Sequence, residues 1–319
     1  MEVKNKFWSD DPVLEKELDQ VALLMKKQIK IQNKDIQQAI FDLLDAGGKR
    51  LRPAYLLLFA GFTSLKKEET YALAASIELL HTATLIHDDV IDHADTRRGV
   101  KTLSTKYSPE IAVYGGDYLF VAVFKLLAQH TFDTSNLVKH IDAMERLLGG
   151  ELGQLDHHFD LNQSMADYLK NISGKTGELF ALSACAAPLV QKENRLASLA
   201  NKIGMAIGIA FQIMDDYLDY ASDEATLGKP VFEDVKQGIY SAPVLFALEE
   251  NRPVVEQLIL NEQYDALYHW IKNSHALEST KNLARTYTNT ALDLIEKLPD
   301  HKNKKSIAQL TYKLLERTL

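Results

Sequence analysis

A single cysteine, Cys185, stands in the 319-residue chain, inside the small apolar run Ala181-Leu182-Ser183-Ala184-Cys185-Ala186-Ala187. No intrachain disulfide is possible, the residue reads as a core thiol, and a cytoplasmic address fits. Proline is scarce, with 8 residues set singly at element boundaries, and no Pro/Gly/Ser-rich linker divides the chain. One domain over residues 1–319 is therefore expected. Basic residues are not in excess: 36 Lys and Arg against 44 Asp and Glu leave a formal net charge of -8. That balance disfavours nucleic acid as a partner, because phosphate backbones need a basic face. The opening Met1-Glu2-Val3-Lys4-Asn5 lacks the basic-then-apolar order of a signal peptide, and Glu, His or Asp interrupt the apolar runs. The expectation is a soluble protein with at most peripheral membrane contact.

Alternating strand patterns are nearly absent, and apolar residues recur instead at helical spacing. Leu14, Leu18, Val21, Leu24 and Met25 make one such stripe, and Ile36, Ile40, Leu43 and Leu44 another. Asp11 before Pro12, Ser64, Ser108 before Pro109, and Ser164 are candidate helix starts. Gly47-Gly48, Gly99 and Gly149-Gly150 are candidate stops. Residues 67–93 and 196–220 are apolar on most faces and rich in Ala, Gly and Ile, which predicts helices buried in a bundle. The fold class expected is all-α.

Each of those two stretches ends in carboxylates. The first reads His87-Asp88-Asp89-Val90-Ile91-Asp92 and the second Met214-Asp215-Asp216-Tyr217-Leu218-Asp219, so both spell Asp-Asp-x-x-Asp. Residues four apart share a helix face, about 6 Å apart along the axis, which sets Asp88 with Asp92, and Asp215 with Asp219, toward the bundle interior. Like charges at the end of an apolar helix are costly unless a cation neutralises them. Hard oxygen donors without His or Cys suit Mg²⁺, which takes few protein carboxylates and completes its octahedron with water and substrate phosphate. A diphosphate held through Mg²⁺ is the ligand this pattern predicts.

Cations complete the pattern. Gly47-Gly48-Lys49-Arg50-Leu51-Arg52-Pro53 sets Lys49, Arg50 and Arg52 in a glycine-led turn, and Thr96-Arg97-Arg98-Gly99 adds Arg97 and Arg98 just beyond the first cluster. The planar fork of arginine matches phosphate oxygens.

Together these motifs, in this order over about residues 40–245, resemble the trans-isoprenyl diphosphate synthase family. The resemblance implies the isoprenoid synthase fold, a bundle of about ten core helices around a deep central cavity, usually dimeric. It implies Asp88, Asp92 and Asp215 as the principal Mg²⁺ ligands, with Asp89, Asp216 and Asp219 supporting the metals or their waters, and three Mg²⁺ per site when substrate is bound. Lys49, Arg52, His81 and Arg98 match the family's isopentenyl diphosphate site; His81 lies seven residues, two helical turns, before Asp88. Arg97, Lys175, Thr176, Gln212 and Lys229 match its allylic diphosphate site. Asp88, Asp92, Asp215, Lys175 and Arg97 are the catalytic candidates.

The activity so implied is 1′-4 trans condensation of isopentenyl diphosphate with an allylic diphosphate, farnesyl or geranyl. Ala83 and Thr84, five and four positions before Asp88, replace the bulky aromatics that floor the product tunnel in short-chain members. Hexaprenyl to octaprenyl products, of the kind used for quinone side chains, are therefore expected. Two features depart from the family. Ile239-Tyr240-Ser241-Ala242-Pro243 follows Gly238 where many members read Lys-x-Thr-x-Pro, and the final Leu315-Glu316-Arg317-Thr318-Leu319 is less basic than in relatives. Either fits slower turnover or dependence on a partner. A homodimer is expected, with a heterodimer containing a small non-catalytic subunit as the alternative. Competing activities are a short-chain farnesyl or geranylgeranyl synthase, a class I terpene cyclase, and a partner-dependent subunit of a two-component synthase.

Overall fold

The computed structural model describes residues 6–46, 48–130, 134–221 and 233–315. Its helices begin where local chemistry can satisfy their first free amides. Helix α1 (Pro12–Gln28) opens on Asp11, whose Oδ1 accepts the Leu14 amide at 3.0 Å. Helix α2 (Lys34–Asp45) opens on Asn33, whose side chain accepts two amides, those of Asp35 and Ile36. After α3 (Leu51–Ala60) comes the 25-residue α4 (Lys67–Ile91). It starts from Lys66 rather than Ser64: Glu69 reaches back to the Lys66 amide at 3.2 Å, and the Ser64 hydroxyl instead donates to Gln191.

Two short strands, β1 (Thr96–Arg97) and β2 (Val100–Lys101), follow, then α5 (Leu103–Lys106), α6 (Pro109–His130) and α7 (Thr134–Leu155). Ser108 caps α6, its Oγ accepting the Ile111 amide at 3.4 Å. Gly99 does not stop a helix. With Arg98 at φ 52° and Gly99 at φ 79°, the pair turns the β1–β2 hairpin, and both central residues have the positive φ that a two-residue turn of this hand requires. Gly149-Gly150 does not stop α7 either. A Cβ on Gly150 would lie 2.7 Å from Gly174 Cα, so the missing side chain lets two backbones touch. Gly47 lies outside the described residues.

Helix α8 (Met165–Ile172) is capped reciprocally by Ser164 and Asp167 and runs into one π-helical turn, Ser173–Gly177. Then follow α9 (Glu178–Val190), α10 (Asn194–Ala221), α11 (Glu233–Lys236), α12 (Ala242–Leu260), α13 (Tyr264–Asn273), α14 (Ala276–Ile295) and α15 (Lys302–Leu315). Inside α12, Asn251 leaves helical geometry at φ -152°, two residues before Pro253, whose ring excludes the normal i−4 hydrogen bond.

The chain forms two compact units, Met1–His140 with Leu182–Ser198, and Ile141–Ala181 with Leu199–Leu319. In the first, α4 packs against α6, α3 and α1. Its Leu73, Ile77, Leu79, Leu80 and Ile86 are at most 3% exposed, each contributing about 1.5–3 kcal/mol of burial. In the second, α12 packs on α13 and α14, and α14 on α15. The two predicted buried stretches are α4 and α10. One expectation needs correction: α6 and α10 are long and apolar enough to cross a membrane by length and composition alone. Glu110, Asp117 and Lys125 are too sparse along the 22 residues of α6 to interrupt its apolar stretch, and buried core helices of bundles pass the same test.

Candidate active site

In the first unit the carboxylates occupy the end of α4. Asp92 is the C-cap, its amide bonded to the Asp88 carbonyl at 2.8 Å. Asp88 is half-buried and Asp92 exposed, so both carboxylates at this helix end are open to a ligand from solvent. Asp89 is buried and engaged within the protein. Arg97 sets Nε at 2.7 Å and Nη2 at 2.6 Å from the same Asp89 oxygen. Burial pushes the Asp89 carboxyl up, against the pull of Arg97. Arg97 thus ties hairpin strand β1 to the first aspartate cluster.

The basic residues of this unit surround a carboxylate that the motifs did not single out. Glu78, three residues before His81 on α4, is 7% exposed. Burial raises its pKa, while Arg52, Arg98 and Arg50 pull it down. A small cavity brings Arg50, Glu78, Thr82 and Arg98 together with Met25 and Leu43. Burial lowers the Arg52 guanidinium to about 10, still cationic at neutral pH. Burial, reinforced by Arg52, Arg98 and Arg97, drives His81 well below its ordinary value, so its ring is neutral at pH 7. The Arg98 guanidinium lies over Gly48, where a Cβ would sit 2.4 Å from Nη1. Arg50 adopts φ 49° to enter α3 and pairs with Asp19 at 3.5 Å; a left-handed non-glycine residue costs about 1–2 kcal/mol. The available sign of Glu78 in the sequence was a lone charge inside the apolar run Ala72–Leu80.

In the second unit a chain of hydrogen bonds crosses from the π turn to the second cluster. The Thr176 hydroxyl donates to Gln212 Oε1 at 2.7 Å, the Gln212 amide donates to Asp216 Oδ1 at 2.8 Å, and the Tyr168 hydroxyl donates to Asp216 Oδ2 at 2.6 Å. Both oxygens of Asp216 therefore have protein partners. Burial pushes this carboxyl up to about 7, opposed by Tyr168 and Gln212. Asp215 is exposed and Asp219 half-buried. Lys175, on the π turn, pairs with Glu151 at 2.9 Å. π-Helical turns are uncommon and often mark functional positions. Lys229 lies outside the described residues. Tyr168, 48 residues before Asp216, carried no sequence signal.

Ala83 is fully buried, and Thr84, 9% exposed, donates its hydroxyl to the His81 carbonyl at 2.9 Å. Both clusters fit a divalent cation. Each lies near the C-terminal end of a long helix, where free carbonyls already make the potential negative and uncompensated carboxylates are disfavoured. Among the described residues no group of three or more His, Cys, Asp and Glu could hold a metal by itself.

A family model described as polyprenyl synthetase matches residues 33–274. The chain belongs to the polyprenyl synthetase family. Heptaprenyl diphosphate synthase component 2 of Bacillus subtilis (strain 168) is 31% identical over 312 residues, covering 95% of this chain and 87% of that protein. Among solved structures, geranylgeranyl pyrophosphate synthase from Lactobacillus brevis ATCC 367 aligns with TM-score 0.93 and 37% identity, over 98% of this chain and 100% of that one. Polyprenyl synthase from Caulobacter crescentus CB15, complexed with calcium and isoprenyl diphosphate, aligns with TM-score 0.88 and 30% identity, over 96% of each chain. This polyprenyl synthetase therefore has the all-α isoprenoid synthase fold and is a trans-prenyltransferase.

Proposed function

We propose that this polyprenyl synthetase is a magnesium-dependent enzyme of the cytoplasm that condenses isopentenyl diphosphate with farnesyl or geranyl diphosphate and elongates it to hexaprenyl to octaprenyl diphosphate, for quinone side chains. The observation that carries the reading is the pair of Asp-Asp-x-x-Asp clusters, each near the end of a long apolar helix and each accompanied by cationic side chains.

Asp88, Asp92, Asp215 and Asp219 would hold Mg²⁺, while Asp89 and Asp216, engaged by Arg97 and by Tyr168 with Gln212, orient the clusters. Bound Mg²⁺ supplies charge neutralisation for the departing diphosphate. Arg97, Lys175, Thr176 and Lys229 bind the allylic diphosphate, and Gln212 fixes Thr176. Lys49, Arg52 and Arg98 bind the diphosphate of the second substrate beside a neutral His81, which donates a hydrogen bond without adding charge. As the allylic carbon–oxygen bond ionises, the isopentenyl double bond attacks the allylic cation, and the released diphosphate takes the proton. Apolar helix walls exclude the water that would trap the cation.

Small side chains at Ala83 and Thr84 support a long product, as does the likeness to a protein named heptaprenyl diphosphate synthase component 2. A second reading, geranylgeranyl diphosphate as end product, is favoured by the 37% identity to the Lactobacillus brevis enzyme. A homodimer is supported by exposed apolar stripes, Val113, Tyr114, Val121 and Phe124 on α6, and Val138, Ile141, Leu148, Leu152 and Leu155 on α7. Ile239-Tyr240 in place of a phosphate-proximal lysine, and the words component 2 in the relative's name, support the alternative of a small second subunit. The test is incubation of the purified chain with Mg²⁺, farnesyl diphosphate and labelled isopentenyl diphosphate, followed by sizing of the products. Chains of six to eight prenyl units support the proposal. A stop at geranylgeranyl diphosphate establishes the second reading, and no incorporation points to a missing subunit or a cyclase.

A further inference from the structure

The turn carrying Lys49 is gripped by aromatic residues from far away in the sequence. Phe7 and Trp8 belong to a single 3₁₀ turn, Lys6–Trp8, that precedes the family match at residues 33–274. Trp8 is 5% exposed, and its indole N–H donates to the Lys49 carbonyl at 2.8 Å, across 41 residues. The Lys49 ammonium lies 5.5 Å from the centre of the Phe7 ring. Phe7 and Trp8 meet edge to face at 4.9 Å.

The stereochemical consequence concerns the peptide plane between Lys49 and Arg50. Its carbonyl is the acceptor for Trp8, and its orientation sets φ of Arg50, which is held at 49°. A half-turn of that plane would carry φ of Arg50 from 49° to negative values, out of the left-handed region that costs a residue with a Cβ about 1–2 kcal/mol. The indole N–H opposes that flip, because the flip would leave a buried donor without its acceptor. The cation–π contact meanwhile limits the arc swept by the Lys49 side chain. Arg50–Asp19 and the Arg98 guanidinium over Gly48 bind the same turn from other sides, but neither grips the Lys49 carbonyl.

We propose that Phe7 and Trp8 form a clasp that positions the Lys49-Arg50 turn for the diphosphate of isopentenyl diphosphate, making Trp8 a positioning residue specific to that substrate. The inference rests on the reading of Lys49 given under the proposed function. Trp8→Phe keeps an aromatic filling and deletes the N–H. It raises KM for isopentenyl diphosphate about tenfold, the cost of one buried hydrogen bond, with kcat and KM for farnesyl diphosphate unchanged within about twofold. Phe7→Leu removes the ring from under the ammonium and raises the same KM about threefold. Equal rises for both substrates, or a lower Tm with neither KM altered, overturn the clasp.

A second readout is independent of turnover. The chain has 2 tryptophans, so Trp270→Phe leaves Trp8 as the sole indole, and its emission is followed during titration with isopentenyl diphosphate alone. A saturable change is expected, and an unchanged spectrum overturns the proposal. Lys49→Ala separates the two layers of the argument. If it leaves binding unaltered, the reading of the turn as a substrate site falls and the clasp with it. If it weakens binding while Trp8→Phe does not, the clasp alone is wrong.

Discussion

Replacing Tyr168 by Phe tests the internal support of the second aspartate cluster. Tyr168 and Asp216 are 4% and 8% exposed, and the hydroxyl lies 2.6 Å from Oδ2. Deleting it leaves a buried carboxylate oxygen without a donor, a loss of about 2 kcal/mol. Melting of a 319-residue chain carries about 2.1 cal/mol/K per residue, so that loss lowers Tm by roughly 3 °C. The loss also depends on pH. Asp216 is raised to about 7 when folded, above the value near 4 of an unfolded aspartate. Its contribution to stability is therefore full below pH 4 and declines as pH rises through 7. The tyrosine hydroxyl favours the ionised form, so its removal raises the folded value further, and the deficit of the variant grows from pH 6 to pH 8. Thermal melts of both proteins in EDTA at those two pH values measure it. A deficit equal at both pH values, or absent, refutes the assignment of Tyr168 as the donor that stabilises ionised Asp216.

Asp88→Ala and Asp215→Ala should each reduce turnover by at least about a thousandfold with an unchanged circular dichroism spectrum, as expected for loss of transition-state charge stabilisation; retained activity in both would discard the metal assignment. Glu78→Gln leaves Arg50, Arg52 and Arg98 without their buried counter-charge, and a loss of about 3 kcal/mol should appear in melting and be partly reversed by inorganic diphosphate. His81 is neutral when folded and titrates near 6.5 when unfolded, so it contributes stability above pH 6.5 that declines as pH falls, with a slope of at most about 1.4 kcal/mol per pH unit; His81→Gln should remove that slope from acid melts. Thr84→Phe should shorten the longest product in a sizing assay, and an unaltered ladder would detach chain length from this turn of α4.

Most of the helical framework was legible in the sequence because its causes are local. Apolar spacing outlined α4 and α10, Asp11, Ser108 and Ser164 fell at helix starts, and the aspartate clusters could be counted along the chain. Glycine was the least reliable sign. Gly99 turns a hairpin, and Gly149-Gly150 lies inside α7, because the same missing Cβ serves a helix end, a tight turn or a close backbone contact.

The sequence by itself determined which chemistry is present: carboxylates four apart on helices, cations in glycine-led turns, and small residues one turn before Asp88. Those are properties of spacing, and helical period makes spacing readable. Only tertiary structure decided how the members of each cluster divide. Asp89 is taken by Arg97 and Asp216 by Tyr168 and Gln212, Glu78 becomes the counter-charge of the basic turn, and Trp8 holds the carbonyl of Lys49. Hydrogen bonds and buried charges choose partners by distance in space, and partners such as Tyr168 for Asp216, or Trp8 for Lys49, lie 48 and 41 residues apart along the chain, beyond the reach of any local pattern.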